Sequence, residues 1–283
     1  MEWSRYCLEL GRRTCIMGIV NVTPDSFSDG GRFMEPRSAV AQGLQLAAAG
    51  ADIIDVGGES TRPFAEPVPE KEEIRRVVPV IAELAQKLCI PISIDTSKAA
   101  VARCALDAGA AIINDISALR ADPGMGSLAA ESGVPVILMH MQGEPRTMQV
   151  APRYDHLVGE IRAFLQQAVL AAEAQGILRQ RLIVDPGVGF GKTAQNNLEL
   201  IRRLPEFAGL GRPLLVGPSR KAFIRRLVKP EDEKDIAPDQ PAVEAGTQAA
   251  VAASIFNGAH IVRVHDVAST LSTVKVADAI LNA

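Results

Sequence analysis

Eight short apolar runs in this chain each end at, or lead into, residues that could do chemistry. TCIMGIVN ends at Asn21, ADIIDVGGES contains Asp55, PISIDT carries Asp95, and AAIIND ends in Asn114 and Asp115. PVILMH ends at His140, RLIVDPG carries Asp185, PLLVGPS is followed by Lys221, and AHIVRVHD holds Arg263 and His265. Taken singly, each has a local explanation. Asp95 precedes Thr96 and Ser97 at a helix start, Asp185 precedes Pro186 and Gly187 in a turn, and Asp55 and Asp115 are as well suited to orienting loops as to touching a substrate. Taken together, two carboxylates and an amide at the end of an apolar cavity match a planar array of donors and acceptors, such as the amino-amide edge of a guanine-like heterocycle. Without a partner they would be costly to bury. Other residues suit an anion. Arg263 and His265 lie two apart on one strand and so face one way, Ser60, Thr61 and Arg62 sit in the second loop, and Asn21 opens the first. Arginine is the best bidentate partner for phosphate, and an amide together with phosphate oxygens suits magnesium (Mg2+).

These residues need a scaffold that gathers strand ends. The runs are continuous rather than alternating, as in parallel strands buried on both faces, and most precede a segment of helical period. Val40, Leu44 and Ala47 mark a helix stopping at Gly50. Ser97 is expected to cap a helix that stops at Gly109, and Thr247 one that carries Val251 and Ile255 and stops at Gly258. Strand then helix, eight times over, predicts an α/β fold of the (β/α)8 TIM-barrel type, a single domain over 1–283 with its active site at the C-terminal ends of the strands; an open doubly wound sheet is the alternative. Three long connections, 22–37, 57–70 and 141–153, lie on that rim and are expected to act as mobile lids. The acidic stretch 229–241 reads as a solvated loop between two helices.

Composition narrows the function. A net charge of −3 gives no general attraction to nucleic acid or membrane. Cys7, Cys15, Cys89 and Cys104 form no CxxC pair, which speaks against a zinc site or a disulfide framework and suits a reducing compartment. With no apolar leader at the N-terminus and no run of about 20 apolar residues, a cytoplasmic protein is expected. RLIVD followed by PGVGFGKT imitates a nucleotide-binding P-loop, but that pattern needs glycine where Pro186 stands. Its glycines are read instead as letting backbone approach a flat ligand beside Phe190.

At this level of detail the chain closely resembles the dihydropteroate synthase family. The resemblance rests on NVTPDSFSDGG (21–31), DVGGESTRP (55–63), SIDTSK (93–98), INDISAL (113–119), LMHMQGEPRTMQ (138–149), VDPGVGFGK (184–192), GPSRKAF (217–223) and GAHIVRVHDV (258–267), in order over nearly the whole length. It implies a transferase that joins 4-aminobenzoate to a hydroxymethyl-dihydropterin diphosphate and releases pyrophosphate with Mg2+ bound. By the same resemblance Asp95, Asn114 and Asp185 hold the pterin, Lys221 bonds its ring, and Met139 packs on its face. Asn21 ligates the metal, Arg263, His265 and Thr61 take the diphosphate, and Ser219 receives the aminobenzoate near Phe27, Arg62, Pro63, Phe190 and Lys221. Catalysis is assigned to Asp95, Lys221 and Arg263; Asp55, Asp115, His140 and Lys192 are given supporting roles. A homodimer is implied, with Val251, Ile255, Val274 and Ile280 as candidate surfaces and core packing as their other reading. Two rivals remain, a methyltetrahydrofolate-binding methyltransferase and a non-catalytic pterin-binding paralogue. The first has no diphosphate for Arg263 and His265 to hold, and the second should show losses at catalytic positions that these motifs do not.

Overall fold

The computed structural model describes residues 1–22, 35–60 and 66–283. Eight parallel strands form the barrel: β3 (Cys15–Asn21), β4 (Ile53–Gly57), β5 (Ile92–Asp95), β6 (Ile112–Asp115), β7 (Val136–Met139), β8 (Leu182–Asp185), β9 (Leu215–Val216) and β10 (Ile261–Val264). From β3 to β8 each strand pairs with the next, β9 pairs with β10, and β10 pairs with β3. Between β8 and β9 the ring is completed by a bridge from Val184 to Leu214 and by the Val184 N–H donating to the Pro213 carbonyl at 3.0 Å. β9 is short because Pro213 and Pro218, which lack an N–H, flank it closely.

Successive strand residues face opposite ways, and this alternation divides the core in two. Cys15, Met17, Ile53, Ile112, Ile137, Ile183, Leu215 and Ile261 fill the lumen. Their sequence neighbours Ile16, Ile54, Ile113, Val136, Leu182, Val184, Val216 and Val262 face outward into the layer shared with the helices. The lumen is closed below by a two-stranded antiparallel hairpin, β1 (Glu2–Trp3) and β2 (Tyr6–Cys7), whose Trp3, Tyr6 and Leu8 join the lumen cluster. The Trp3 indole N–H donates to the Ala111 carbonyl at 2.8 Å. The hydrophobic N-terminal end is thus plugged, and the polar strand ends occupy the opposite mouth.

The helices are α1 (Glu35–Ala48), α2 (Glu70–Lys87), α3 (Ala99–Asp107), α4 (Gly124–Ser132), α5 (Leu157–Ala174), α6 (Ala194–Arg202), α7 (Ala222–Val228), α8 (Pro241–Phe256) and α9 (Val267–Leu281). The acidic stretch does join two helices, α7 and α8, and is mostly exposed. Gly50, Gly109 and Gly258 end their helices at φ of +104°, +111° and +95° as expected. Two caps differ from expectation. α3 begins at Ala99, whose N–H is taken by Asp122 at 2.8 Å, so Ser97 lies before the helix and does not cap it. α8 begins with Pro241, six residues ahead of Thr247, which is buried inside the helix with its hydroxyl accepting the Arg220 N–H at 3.1 Å. Pro241 is well placed there, since the first helical N–H has no partner to lose.

Much of the first long connection, and 61–65 of the second, lie outside the described residues. The third departs from a mobile lid. Gln142 and Arg153 bond reciprocally at 2.8 and 3.1 Å, Gln149 donates to the Gly189 carbonyl at 2.9 Å, and Met141 and Met148 are buried with Ile116, Met139 and Phe190. Val251, Ile255 and Val274 are core residues, and only Ile280 of the candidate surface set is exposed. Among the described residues no helix is long and apolar enough to cross a membrane.

Because Trp3 both fills the base of the lumen and satisfies a carbonyl there, Trp3→Ala should cost about 3–5 kcal/mol. Urea denaturation measures this, and a loss below about 1 kcal/mol would show that the hairpin is not part of the core.

Candidate active site

The same alternation that sends Met17 and Ile53 into the lumen sends Asn21, Asp55, Asp95, Asn114, Met139, Asp185 and Arg263 to its upper end. Cross-strand register sets Asn21 beside Gly57, Asp95 between Gly57 and Asn114, and Met139 beside Asp185. Asp115 and His140, one residue further along their strands, have the other parity. Asp115 accepts the Ser117 and Leu119 N–H groups, both at 2.8 Å, in a turn where Ala118 and Leu119 have positive φ. His140 packs edge-on against Phe164 with ring centroids 4.9 Å apart. Burial, and then the Lys192 charge, bring its pKa down to about 2, so it stays neutral.

Charge at the mouth is organised around Arg263. Its Nε donates to Asp55 at 2.6 Å and its Nη2 to Asp95 at 2.7 Å. The oxygen of Asp55 that receives Nε also accepts the Asn114 amide at 3.1 Å. Two carboxylates in a lumen would be untenable without a cation, and the planar guanidinium fork can serve both. In this structure the guanidinium lies between the two acids, and fully buried Asp55 supports the site as one arm of that fork. The signal for Asp55 was present in its strand, since it shares the parity of Ile53 and Gly57, but its partner is 208 residues away.

His265 turns instead to Ser219. Its Nδ1 lies 3.0 Å from the Ser219 hydroxyl oxygen, which also accepts the His265 backbone N–H at 3.2 Å. Ser219 and Lys221 flank Arg220, a non-glycine residue at φ +57°. That sparsely populated conformation is held by the Thr247 hydroxyl on the Arg220 N–H and by Arg225 on its carbonyl at 3.0 Å. Thr247 and Arg225 support the site without any motif having pointed to them.

Lys221 lays its ammonium over Phe190, 3.9 Å from the ring centroid. Burial, then the Arg263 charge, lower its pKa to about 8, opposed by Asp185 and Asp95. Asp185 accepts the Gly187 N–H at 2.7 Å. Burial pushes it up to about 6 despite that bond and the nearby cations, and burial raises Asp95 as well, with Arg263 opposing. The glycine-rich turn beyond Asp185 is packed closely against protein. A Cβ at Gly187 (φ +70°) would fall on the His140 carbonyl, and one at Gly189 (φ +86°) would stand 2.7 Å from the Lys221 stem. Lys192 is committed to structure, with its ammonium 2.9 Å from the Gly187 and Phe190 carbonyls and 3.1 Å from His140 Nδ1.

Thr61, Arg62, Phe27 and Pro63 lie outside the described residues. Among the described residues no three His, Cys, Asp or Glu side chains gather to hold a metal. Half-buried Asn21 offers a single hard oxygen at the mouth. That donor suits a magnesium ion that keeps most of its waters and takes its other oxygens from a substrate phosphate.

The Asp185 shift has a consequence for stability. With 3.8 as its ordinary value and about 6 in the folded chain, the folded state keeps a proton that the unfolded state has released. Stability therefore falls as pH rises from about 4 to about 6 and stays lowered above that. Asp185→Asn retains an oxygen for Gly187 and removes the loss, on the order of 2–3 kcal/mol. Its Tm should exceed wild type near pH 8 and converge with it near pH 4; a lower Tm near pH 8 would contradict the assignment.

Residues 17–265 match the model of a family described as pterin binding enzyme. Dihydropteroate synthase of Synechocystis is 49% identical over 270 residues, covering 95% of this chain and 91% of that protein. The Escherichia coli dihydropteroate synthase is 46% identical over 268 residues, covering 95% and 92%. Among solved structures, the Xanthomonas albilineans dihydropteroate synthase with 4-aminobenzoic acid superimposes with a TM-score of 0.88 at 47% identity, covering 96% of this chain and 94% of that one. The same enzyme in complex with 7,8-dihydropteroate gives 0.85 at 45% identity, covering 96% and 95%. Agreement of this extent, over almost the whole of both chains and across the strand ends that build the site, places the chain in the dihydropteroate synthase family of pterin-binding enzymes.

Proposed function

We propose that this chain transfers the 7,8-dihydropterin-6-ylmethyl group from its diphosphate to 4-aminobenzoate, giving 7,8-dihydropteroate and pyrophosphate. The observation that carries this reading is the polar mouth of the lumen, where Asp95, Asn114 and Asp185 lie at strand ends around Arg263. A pterin presents an amino group and a ring N–H beside a carbonyl on one edge. Asp185 supplies acceptors for that edge. Asn114, whose amide N–H is engaged by Asp55, keeps its carbonyl as a further acceptor. Lys221 donates to a ring oxygen or nitrogen, and Met139 lies beside Asp185 as an apolar wall for the ring face.

The reaction is a dissociative substitution. The bond from the methylene carbon to the diphosphate oxygen breaks, the electron pair leaves with pyrophosphate, and ring donation stabilises the carbocation. Asp95 favours that positive charge electrostatically. The aromatic amine attacks the methylene and then releases a proton. Arg263, His265 and Thr61 receive the diphosphate, which requires Arg263 to divide its donors between Asp55, Asp95 and the substrate. Ser219, with Arg62, Phe190 and Lys221, receives the aminobenzoate. Asn21 would hold magnesium (Mg2+); what the ion supplies when bound is neutralisation of charge on the departing diphosphate.

The reading includes a homodimer and a cytoplasmic setting. The dimer is supported by exposed Leu227, Phe256, Val276 and Ile280 on α7, α8 and α9, and the setting by four free cysteines, two of them exposed.

Incorporation of labelled 4-aminobenzoate, with pyrophosphate release, tests the reaction. Asp95→Asn and Arg263→Ala should each lower kcat/KM by about 100-fold or more, as expected for groups acting on transition-state charge. Chelation of Mg2+ should abolish turnover and its return restore it. Near-wild-type synthesis by both variants would sink the role assignments, and methyl transfer to a corrinoid in place of aminobenzoate incorporation would sink the function.

A further inference from the structure

Away from the mouth residues, one half-buried ionic node joins three parts of the chain. Lys98, the residue before α3 and three past Asp95, donates its ammonium to Glu59 at 2.6 Å, to Glu73 at 2.6 Å and to the Val68 carbonyl at 2.8 Å. The other carboxylate oxygen of Glu59 accepts the Val68 N–H at 3.1 Å. Glu59 and Val68, nine residues apart, are therefore bound both to each other and to Lys98. Gly58 is held in turn by Arg76, which donates to its carbonyl at 2.9 Å, and lies so close to α2 that a Cβ would stand 2.7 Å from Val77. Glu73 is fully buried.

A half-buried ammonium shared between half-buried Glu59 and fully buried Glu73 adds little net stability, because desolvation of the ions offsets much of their attraction. What the ions add is geometry. The node fixes the exit of β4 and the far end of its connection to α2 against the exit of β5. The stretch between Glu59 and Val68 carries Thr61 and Arg62 in its sequence, and the exit of β5 carries Asp95.

We propose that Lys98 is a positioning residue for the transfer reaction, holding the two ends of the β4–α2 connection, Glu59 and Val68, in place relative to Asp95. It acts through those two ends and not by contact with the reacting atoms. The inference rests on the reading of Thr61 and Arg62 as substrate-binding residues. Its ammonium is kept protonated because, although burial opposes the charge, the bonds from Glu59 and Glu73 outweigh it and raise the pKa.

Lys98→Met would strand the buried Glu73, so the primary variant is Glu59→Gln, which leaves the Lys98–Glu73 pair intact and turns one donor of the new amide against Lys98 or the Val68 N–H. Expected is a rise in KM for 4-aminobenzoate of about tenfold or more, with affinity for pterin diphosphate and Tm within about twofold and a few degrees of wild type. Hydrogen exchange at the Val68 amide should accelerate by roughly tenfold. Lys98→Arg, keeping the charge, should lie nearer wild type than Lys98→Met in that same KM. Unchanged KM and unchanged Val68 exchange in Glu59→Gln would overturn the proposal, as would a uniform fall in pterin affinity, KM and Tm, which marks a merely structural node. Should wild type itself form no dihydropteroate, the functional reading fails, and Val68 exchange still reports whether Lys98 holds the connection.

Discussion

A closed barrel of eight strands admits to its interior only every second residue of each strand, and the rest of this molecule follows from that restriction. The lower lumen takes Cys15, Met17, Ile53, Ile112 and their equivalents and is sealed by Trp3. The upper lumen takes the polar residues of the same parity. These side chains cannot rotate away to solvent on the outside, because that side is packed against helices. They must be satisfied by one another or by a ligand.

Arg263 resolves most of that demand. One guanidinium serves two acids, and one of those acids also holds the Asn114 amide, so that three strands are linked through a single oxygen of Asp55. The remaining groups are left in tension with their surroundings. Asp185 is raised and Lys221 lowered, each chiefly by burial, and strongly perturbed groups converging on one cavity are what a binding or catalytic site requires. Such an arrangement is stable enough when empty and gains when a ligand supplies the missing donors and acceptors.

The supports around the mouth follow the same logic at lower cost. Arg220 adopts a disfavoured backbone conformation because Thr247 and Arg225 hold its two peptide groups, and this sets Ser219 by His265 and Lys221 over Phe190. The turn after Asp185 needs glycine at 187 because the His140 carbonyl occupies the space of a side chain. Lys98 does for the β4 and β5 exits what Thr247 does for β9, with charge in place of a hydroxyl.

Much of this was legible in the sequence. The eight apolar runs, their order and the polar residues at their ends are local properties, and a parallel barrel is the arrangement that buries such runs on both faces. The glycine stops at 50, 109 and 258 were equally local, since a left-handed residue needs no distant partner. The P-loop imitation could be dismissed on spacing alone. What only the tertiary structure decided is which polar residue meets which. The bond of Asp55 to Arg263, the commitment of Thr247 to Arg220 in place of a helix cap, the bracing of the third connection and the burial of Val251, Ile255 and Val274 all depend on contacts between segments far apart in the chain. Sequence determines the direction a strand residue faces, because alternation is set within the strand; the identity of its partner is set by the register and closure of the whole barrel, which no single segment contains.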